Sequence, residues 1–307
     1  MGAPSLPADL AVRLERQFGT ATVRQIEKAC AGDRLPTLRV NTLKTDDAAI
    51  MERLRQNGVQ YERVPGIPHA LFIRNRQEKF LLDHPLCLEG KVYLQGIASM
   101  LPPLVLDPKP GETVLDLCAA PGSKTSQIAA LMQNRGKIVA CEDNDIRFQK
   151  LLHTLNLQSA SAVDPRHMDA SLLHHEMPEA FDRVLADVPC SAEGRICLSD
   201  PRSYRFWSQK NVVANAKLQR RLLRSAVRCL KPGGILVYST CTLAPEEDED
   251  MMAWLLAEFP ELKTADFDLP VADFRRTKGR GTYVLPSERH EGFFVAKFQK
   301  AASPDQS

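Results

Sequence analysis

The chain has 307 residues, of which 44% are hydrophobic and 25% charged, with a formal net charge of +2. This length predicts one large domain with a small one, or two medium ones, and a substantial buried core. The near-neutral charge excludes nucleic-acid binding by bulk charge, so any such binding must rest on a local patch. No run of about 18 apolar residues occurs, which predicts no transmembrane helix. Met1 to Asp9 lacks a basic stretch followed by an apolar one, which predicts no secretory signal.

Along the chain, residues 8 to 31 carry helical periodicity through Leu10, Leu14, Phe18, Val23 and Ile26. A strand follows over Leu38 to Leu43. Thr45 or Asp46 caps a helix running to about Asn57, and Gly58 stops it. Short extended pieces over Val59–Val64 and Leu71–Ile73 complete a small α+β unit over 36–88, behind an N-terminal helical segment over 1–35. From Glu89 the rhythm changes. Apolar strands at 113–117, 137–141, 184–186 and 235–238 alternate with helices at 126–132, 146–157, 214–230 and 248–258, and late strands follow near 283–285 and 293–298. This alternation predicts a mostly parallel sheet with helices on both faces over 89–300, and a polar tail over 301–307. The acidic run Glu246 to Asp250 reads as a charged first turn that favours a helix N-terminus.

The eight cysteines are scattered, with no Cys-x-x-Cys pair and no zinc-finger spacing. That predicts no metal site and free thiols in a reducing, cytoplasmic setting. Cys30, Cys87, Cys141 and Cys229 read as small buried hydrophobes. Cys190 and Cys241 differ, because each follows a predicted strand downstream of a cofactor-type turn. Two thiols at strand ends of one sheet suggest covalent chemistry, since thiolates are strong nucleophiles even when sparsely ionised.

That turn is Cys118, Ala119, Ala120, Pro121, Gly122, Ser123 and Lys124, after the strand end at Asp116. Small residues let the backbone approach a ligand, and the following helix offers free amides. Gly-x-Gly-x-x-Gly is absent, and Leu117 stands where a P-loop needs its first glycine. Glu142, at the end of the second strand, is placed for two ribose hydroxyls, with Arg147 at the start of the next helix. Asp169, after a short third strand near 161–163, is placed for an adenine amino group. Acids at successive strand ends imply an adenosine carrying a sulfonium, that is, S-adenosyl-L-methionine.

Taken together, Asp116 to Thr125, Asp187-Val188-Pro189-Cys190-Ser191-Ala192-Glu193-Gly194 and Tyr238-Ser239-Thr240-Cys241-Thr242 resemble the Sun family of RNA (cytosine-5) methyltransferases. Lys231-Pro232-Gly233-Gly234 is similar to a turn in most Rossmann-like methyltransferases. Leu38 to Leu43 resembles the start of the family's small RNA-recognition-like domain, and Leu285-Pro286 with Glu291 to Phe294 its closing hairpin. The likeness covers roughly residues 36–300. Val188 and Ala192 depart from the family's more usual Ala and Gly.

The resemblance implies a class I Rossmann-like domain, an RNA substrate (rRNA or tRNA) and the methyl donor just named. It makes Cys241 the nucleophile at carbon 6 of cytosine and Cys190 the residue that helps release product. Asp187 hydrogen-bonds protonated ring nitrogen 3 or the amino group and borders the methyl donor, while Lys124 orients the substrate or Asp187. Chemistry alone asks for a nucleophile, an acid and a group assisting elimination, without saying which cysteine does which. Arg195, Arg202, Tyr204, Arg205, Phe206 and Trp207 mix cations with aromatics and suit phosphates and stacked bases. Arg275, Arg276, Lys278 and Arg280 form a second basic loop. The basic side of the 214–230 helix reads as a solvated face. Two other classes compete. An amino-methylating enzyme would show Asn-Pro-Pro-Tyr or Asp-Pro-Pro-Tyr at 187–190. A non-catalytic RNA-binding or ribosome-assembly factor would have lost a cysteine or a cofactor acid. A monomer is the default expectation.

Overall fold

A computed structural model describes residues 5–271 and 274–302, so the expected polar tail lies outside the described residues from 303 on. The chain opens with two helices, α1 (Ala8–Phe18) and α2 (Thr20–Ala31), where periodicity predicted one. Gly19 breaks the helix with φ 81°, a left-handed value that costs glycine little. Next come β1 (Thr37–Val40), α3 (Asp47–Gln56), β2 (Tyr61–Arg63), β3 (Ala70–Ile73), the short helices α4 (Glu78–Leu82) and α5 (Pro85–Leu88), and β4 (Val92–Leu94). Asp46 caps α3, its carboxylate accepting from Ala49 N at 2.8 Å.

These strands form an antiparallel four-stranded sheet in the order β2-β3-β1-β4. The change of rhythm at residue 89 therefore falls inside this unit, because β4 pairs with β1 through Leu38↔Leu94 and Val40↔Val92. Leu38, Val40, Ile50, Leu54, Leu71, Ile73 and Val92 make its core. A second cluster, with Phe72, Ile97, Met100, Leu101, Val284 and Phe293, joins it to the rest of the molecule.

The large unit starts with α6 (Ile97–Leu106) and continues with β5 (Thr113–Asp116), α7 (Ser123–Leu131), β6 (Lys137–Glu142), α8 (Asp145–Leu157), β7 (Val163–His167) and β8 (Phe181–Asp187). It closes with α9 (Gln209–Cys229), β9 (Leu230–Thr240), α10 (Glu249–Glu258), β10 (Leu262–Thr264), β11 (Phe274–Arg276), β12 (Thr282–Val284) and β13 (Phe293–Lys300). Among the described residues these strands form a nine-stranded sheet, ordered β11-β12-β13-β9-β8-β5-β6-β7 with β10 beside β13. The five strands from β9 to β7 are parallel, and β13, β12 and β11 are added antiparallel. The chain runs outward from β5 through β6 to β7, then returns to the other side of β5 as β8. The crevice at the carboxyl ends of β5 and β8 is therefore the switch point, where ligands of such sheets bind.

A buried polar network locks the small sheet to this crevice. Arg39 of β1 donates to Gln95 Oε1 at 2.7 Å and to Ser126 Oγ of α7 at 2.9 Å, and Gln95 donates to Gln127 Oε1 of α7 at 2.9 Å. Burial lowers the Arg39 guanidinium to about 10. Each hydrogen bond here stands in for water that a buried charge would otherwise lose. Among the described residues, no helix is long and apolar enough to cross a membrane.

Candidate active site

β5 delivers Asp116 to the crevice, and the chain then turns through residues 117–122. The turn is pinned on both sides: Leu117 N donates to Leu185 O of β8 and Ala119 N to Cys141 O of β6, at 2.9 and 2.8 Å. Gly122 ends it with φ 103° directly before α7. A methyl group there would meet Thr154 Cγ2 at 3.0 Å and Leu151 Cδ1 at 3.2 Å. Position and conformation therefore both ask for glycine.

Asp116 is buried, accepts from Thr125 Oγ1 at 2.7 Å and leaves Oδ1 with no hydrogen-bond partner among the described residues. Burial pushes its carboxyl up to about 7, with Asp187 adding to the rise and the Thr125 hydroxyl opposing it.

β8 and β9 end side by side and feed the two cysteine segments. Val188 N donates to Ser239 O at 3.2 Å, Gly194 N to Cys241 O at 3.0 Å, and Ser191 Oγ lies 2.7 Å from Thr242 Oγ1. These bonds bring Cys190 Sγ to 3.3 Å from Cys241 Sγ. The hydrogen bond to Cys241 first, and burial second, push the Cys190 thiol well above its usual range. Cys190 therefore carries a proton at neutral pH, in contact with the other sulfur.

Asp187 accepts from Ser239 Oγ at 2.8 Å and pairs with Lys124 Nζ at 2.7 Å. Burial pulls the Lys124 ammonium down, but Asp187, Cys241 and Asp116 more than offset it, so it stays charged above its usual value.

A cavity of about 940 Å³ opens over these groups. Its lining includes Asp116, Cys118, Ala119, Ala120, Pro121, Ser123, Lys124, Arg147, Asp187, Cys190 and Cys241. The structure thus brings together both thiols, the Lys124–Asp187 pair and most of the cofactor turn. Gly122 shapes the turn from behind. Glu142 is buried beneath the lining, 3.3 Å from Arg147 Nη1 and accepting from Asn144 N at 3.1 Å. Asp169 lies away from the lining, where it caps a short 3-10 helix by accepting from Ser171 N at 2.9 Å and pairs with Arg221 at 3.0 Å. Cys118 is half-buried in the cavity lining, where desolvation, with Asp116 and Asp187 beside it, pushes its thiol well up.

The basic segments divide. Arg195 lines the cavity and lies 3.5 Å from Glu291. Phe206 is 70% exposed with the Arg205 guanidinium 4.4 Å over its ring, whereas Trp207 packs on the core and donates to Glu193 Oε1 at 2.8 Å. In the second loop, Arg276 and Arg280 pair with Asp266 and Arg275 donates to Thr22 Oγ1. On α9, Arg224 pairs with Glu258, and Arg220 and Arg224 both lie over the Trp254 ring.

Sequence reasoning missed Arg34, Arg76 and Arg289, which line the cavity from the small unit and the closing hairpin. The acidic run does supply the charged first turn of α10 through Glu249 and Asp250, but sequence reasoning missed that Glu247 and Asp248 are fully buried, because the residues before α10 fold under the cysteine segments. No group of three or more His, Cys, Asp or Glu among the described residues has the geometry to hold a metal ion.

Comparison with known proteins gives a consistent picture. The model of the 16S rRNA methyltransferase RsmB/F family matches residues 103–299, and that of a ferredoxin-like domain of RsmF/B-like methyltransferases matches residues 6–78. Ribosomal RNA small subunit methyltransferase F of Cronobacter sakazakii is 39% identical over 286 residues, covering 90% of this chain and 59% of the relative. Its counterpart in Pectobacterium atrosepticum is 36% identical over 313 residues, covering 97% of this chain and 63% of the relative. The chain thus spans about three-fifths of the length of these relatives. A methyltransferase homolog protein from Pyrococcus horikoshii superposes with a TM-score of 0.81 at 31% identity, over 96% of this chain and 100% of that one. NSun6 from the same organism, solved with SFG, an analogue of S-adenosylmethionine, gives 0.85 at 22% identity over 98% and 100%, a likeness of fold alone.

Proposed function

The chain belongs to the 16S rRNA methyltransferase RsmB/F family, and from that premise we propose that it methylates carbon 5 of a cytosine in RNA through a covalent adduct on Cys241. The observation that carries this reading is the pair of sulfurs 3.3 Å apart beside the Lys124–Asp187 ion pair. The names of the relatives favour small-subunit rRNA as the substrate.

The methyl donor is S-adenosylmethionine, which supplies an electrophilic methyl group on a sulfonium. The crevice fits it. The unpartnered Asp116 Oδ1 could accept from an ammonium, and the free first amides of α7 would suit a carboxylate. Glu142 would take the ribose hydroxyls once the 3.3 Å contact with Arg147 yields, and Asp169 the adenine amino group in competition with Arg221.

Carbon 5 of cytosine is a poor nucleophile until a thiolate adds to carbon 6. Cys241 gives its proton to solvent in the open cavity and its thiolate forms that bond, while the electron pair of the 5,6 double bond passes into the ring as nitrogen 3 takes a proton from solvent. Asp187 accepts from that N–H or from the amino group, and Lys124 holds Asp187 in place. After methylation, carbon 5 must lose its proton and carbon 6 must release sulfur. Cys190 gives its proton to the departing Cys241 sulfur, and its thiolate takes the carbon-5 proton. The nitrogen-3 proton then leaves, restoring the aromatic ring.

The test is a denaturing gel with 16S rRNA transcribed in vitro and S-adenosylmethionine. Cys190→Ala should accumulate a protein–RNA adduct. Cys241→Ala should form none and lose at least ~10³-fold in rate, as expected for removal of a nucleophile that acts as one unit with its partners. Full turnover by either variant would sink the reading, and methyl-free RNA with the intact enzyme would favour a binding factor instead.

A further inference from the structure

We propose that Glu247 and Asp248 are positioning residues that each hold one of the two reactive cysteines, Glu247 the Cys190 segment and Asp248 the Cys241 segment. The inference rests on the covalent reading above.

Both peptide groups beside Cys190 are gripped from below. Ser191 N donates to Glu247 Oε1 and Oε2 at 3.2 and 3.1 Å. Gln219 of α9 donates from Nε2 to Pro189 O at 2.9 Å and to Glu247 Oε2 at 2.8 Å, tying the two supports together. The Tyr238 hydroxyl fixes Glu247 in turn, 2.5 Å from its carbonyl oxygen.

The grip on the other cysteine is separate. Thr240, directly before Cys241, donates from Oγ1 to Asp248 Oδ1 at 2.6 Å. Asp248 stands at the N-cap of α10, yet its side chain makes no capping bond; it points at the cysteine strand instead.

Two adjacent carboxyl groups with no exposed surface are costly to bury. A turn required only for chain reversal would carry apolar or exposed residues here. Arg13 on α1, whose charge acts on Glu247 from a distance, makes its ion pairs with Glu193 and Glu246 instead. The two thiols must meet within a fraction of an ångström for a proton to pass between them, and a rigid second support under each segment supplies that precision.

Glu247 also faces neutral pH. Burial pushes its carboxyl up to about 7, opposed by the bonds from Ser191 and Gln219 and by Arg13. The other titratable groups around it are Glu246, Asp248, Cys190 and Tyr238; burial raises Asp248 and Tyr238 well above their usual values, and the Cys241 hydrogen bond, with burial, does the same for Cys190. Ionised Glu247 accepts from Ser191 more strongly than the neutral acid, so release of the adduct should quicken as pH rises through about 7.

Rapid-quench gels with the same transcript separate adduct formation from release. Glu247→Ala should slow release ~10- to 100-fold, the scale of a misplaced reacting group, and leave formation within about twofold. Glu247→Gln keeps an acceptor for Ser191 N, so it should recover most of the rate while losing the pH step. Asp248→Ala should slow formation instead, with Thr240→Val reproducing it. A merely structural role would slow both steps together in both variants, and that result overturns the proposal, as does unchanged release in Glu247→Gln at every pH alongside unchanged formation in Thr240→Val. Those two conservative variants decide the matter if the alanine variants fail to fold. Cys190→Ala on the same gel keeps the two ideas apart: if it traps adduct while Glu247→Ala releases normally, only the positioning proposal falls, and if it traps none, the covalent reading falls and this proposal with it.

Discussion

The two walls of the crevice are built on opposite plans. On the β5–β6 side, small residues and backbone amides frame the turn, and Asp116 keeps one buried oxygen unpartnered. On the β8–β9 side, the groups flanking the two thiols are already engaged, Asp187 by Ser239 and Lys124, Thr240 by Asp248, Ser191 by Glu247 and Thr242, while the oxygens left unpartnered, Asp248 Oδ2 and Glu193 Oε2, belong to residues behind them. A surface that must bind a ligand leaves groups wanting partners, since binding energy comes from satisfying them. A surface that must react satisfies its own groups beforehand, so that nothing reorganises during the chemistry.

The contrast breaks if the binding wall tolerates bulk. Gly122→Ala forces a left-handed φ on a residue with a side chain and presses a methyl against Thr154 and Leu151. We expect a loss of ~1–3 kcal/mol of stability, the range for strained backbone, read as a lower Tm. S-adenosylmethionine affinity, read by calorimetry, should fall with it. Normal affinity in a folded Gly122→Ala would mean that the turn does not shape the cofactor site.

Asp116→Asn sharpens the contrast through pH. Because the folded carboxyl is raised to about 7 by burial, Asp116 is more stable protonated, and its contribution to stability declines as pH rises from the ordinary carboxylate range to about 7. Ligand binding has the opposite sign, since a cationic amino group prefers the ionised acid. Affinity for S-adenosylmethionine should therefore rise between pH 6 and pH 8 in the intact protein. In Asp116→Asn it should be flat, and ~10-fold weaker at the upper end, the worth of a hydrogen bond between charged groups.

The two walls were unequally legible in the sequence. The binding wall is local: a strand end, small residues and a helix start within one short stretch, so Cys118 to Lys124 could be singled out from order alone. The sulfurs could be named as motifs, but their 3.3 Å contact depends on β8 lying beside β9, which no single segment records. Glu247 and Asp248 were legible least. Five consecutive acids read as the charged first turn of a helix, which Glu249 and Asp250 are, and only packing beneath 188–194 and against Gln219 of α9 buries Glu247 and Asp248. The same limit hid Arg39, whose partner on α7, Ser126, lies 87 residues away. The small unit was misjudged at its end for a related reason, since β4 joins a sheet whose other strands were already past.

The smallest expected effect tests where the binding wall stops. Asp169 sits one strand further out than Glu142, and its Oδ2 is taken by Arg221 at 3.0 Å. Arg221 is more than half exposed, and such surface pairs contribute only ~0–1 kcal/mol. Arg221→Ala should therefore leave Tm almost unchanged while freeing the oxygen. If Asp169 reads the adenine amino group, the freed acceptor should tighten S-adenosylmethionine binding by up to ~3-fold, the competing bond having been weak. Weaker binding would show that Arg221 holds Asp169 in the orientation the adenine needs, extending the internally satisfied plan of the reacting wall across to this edge of the sheet.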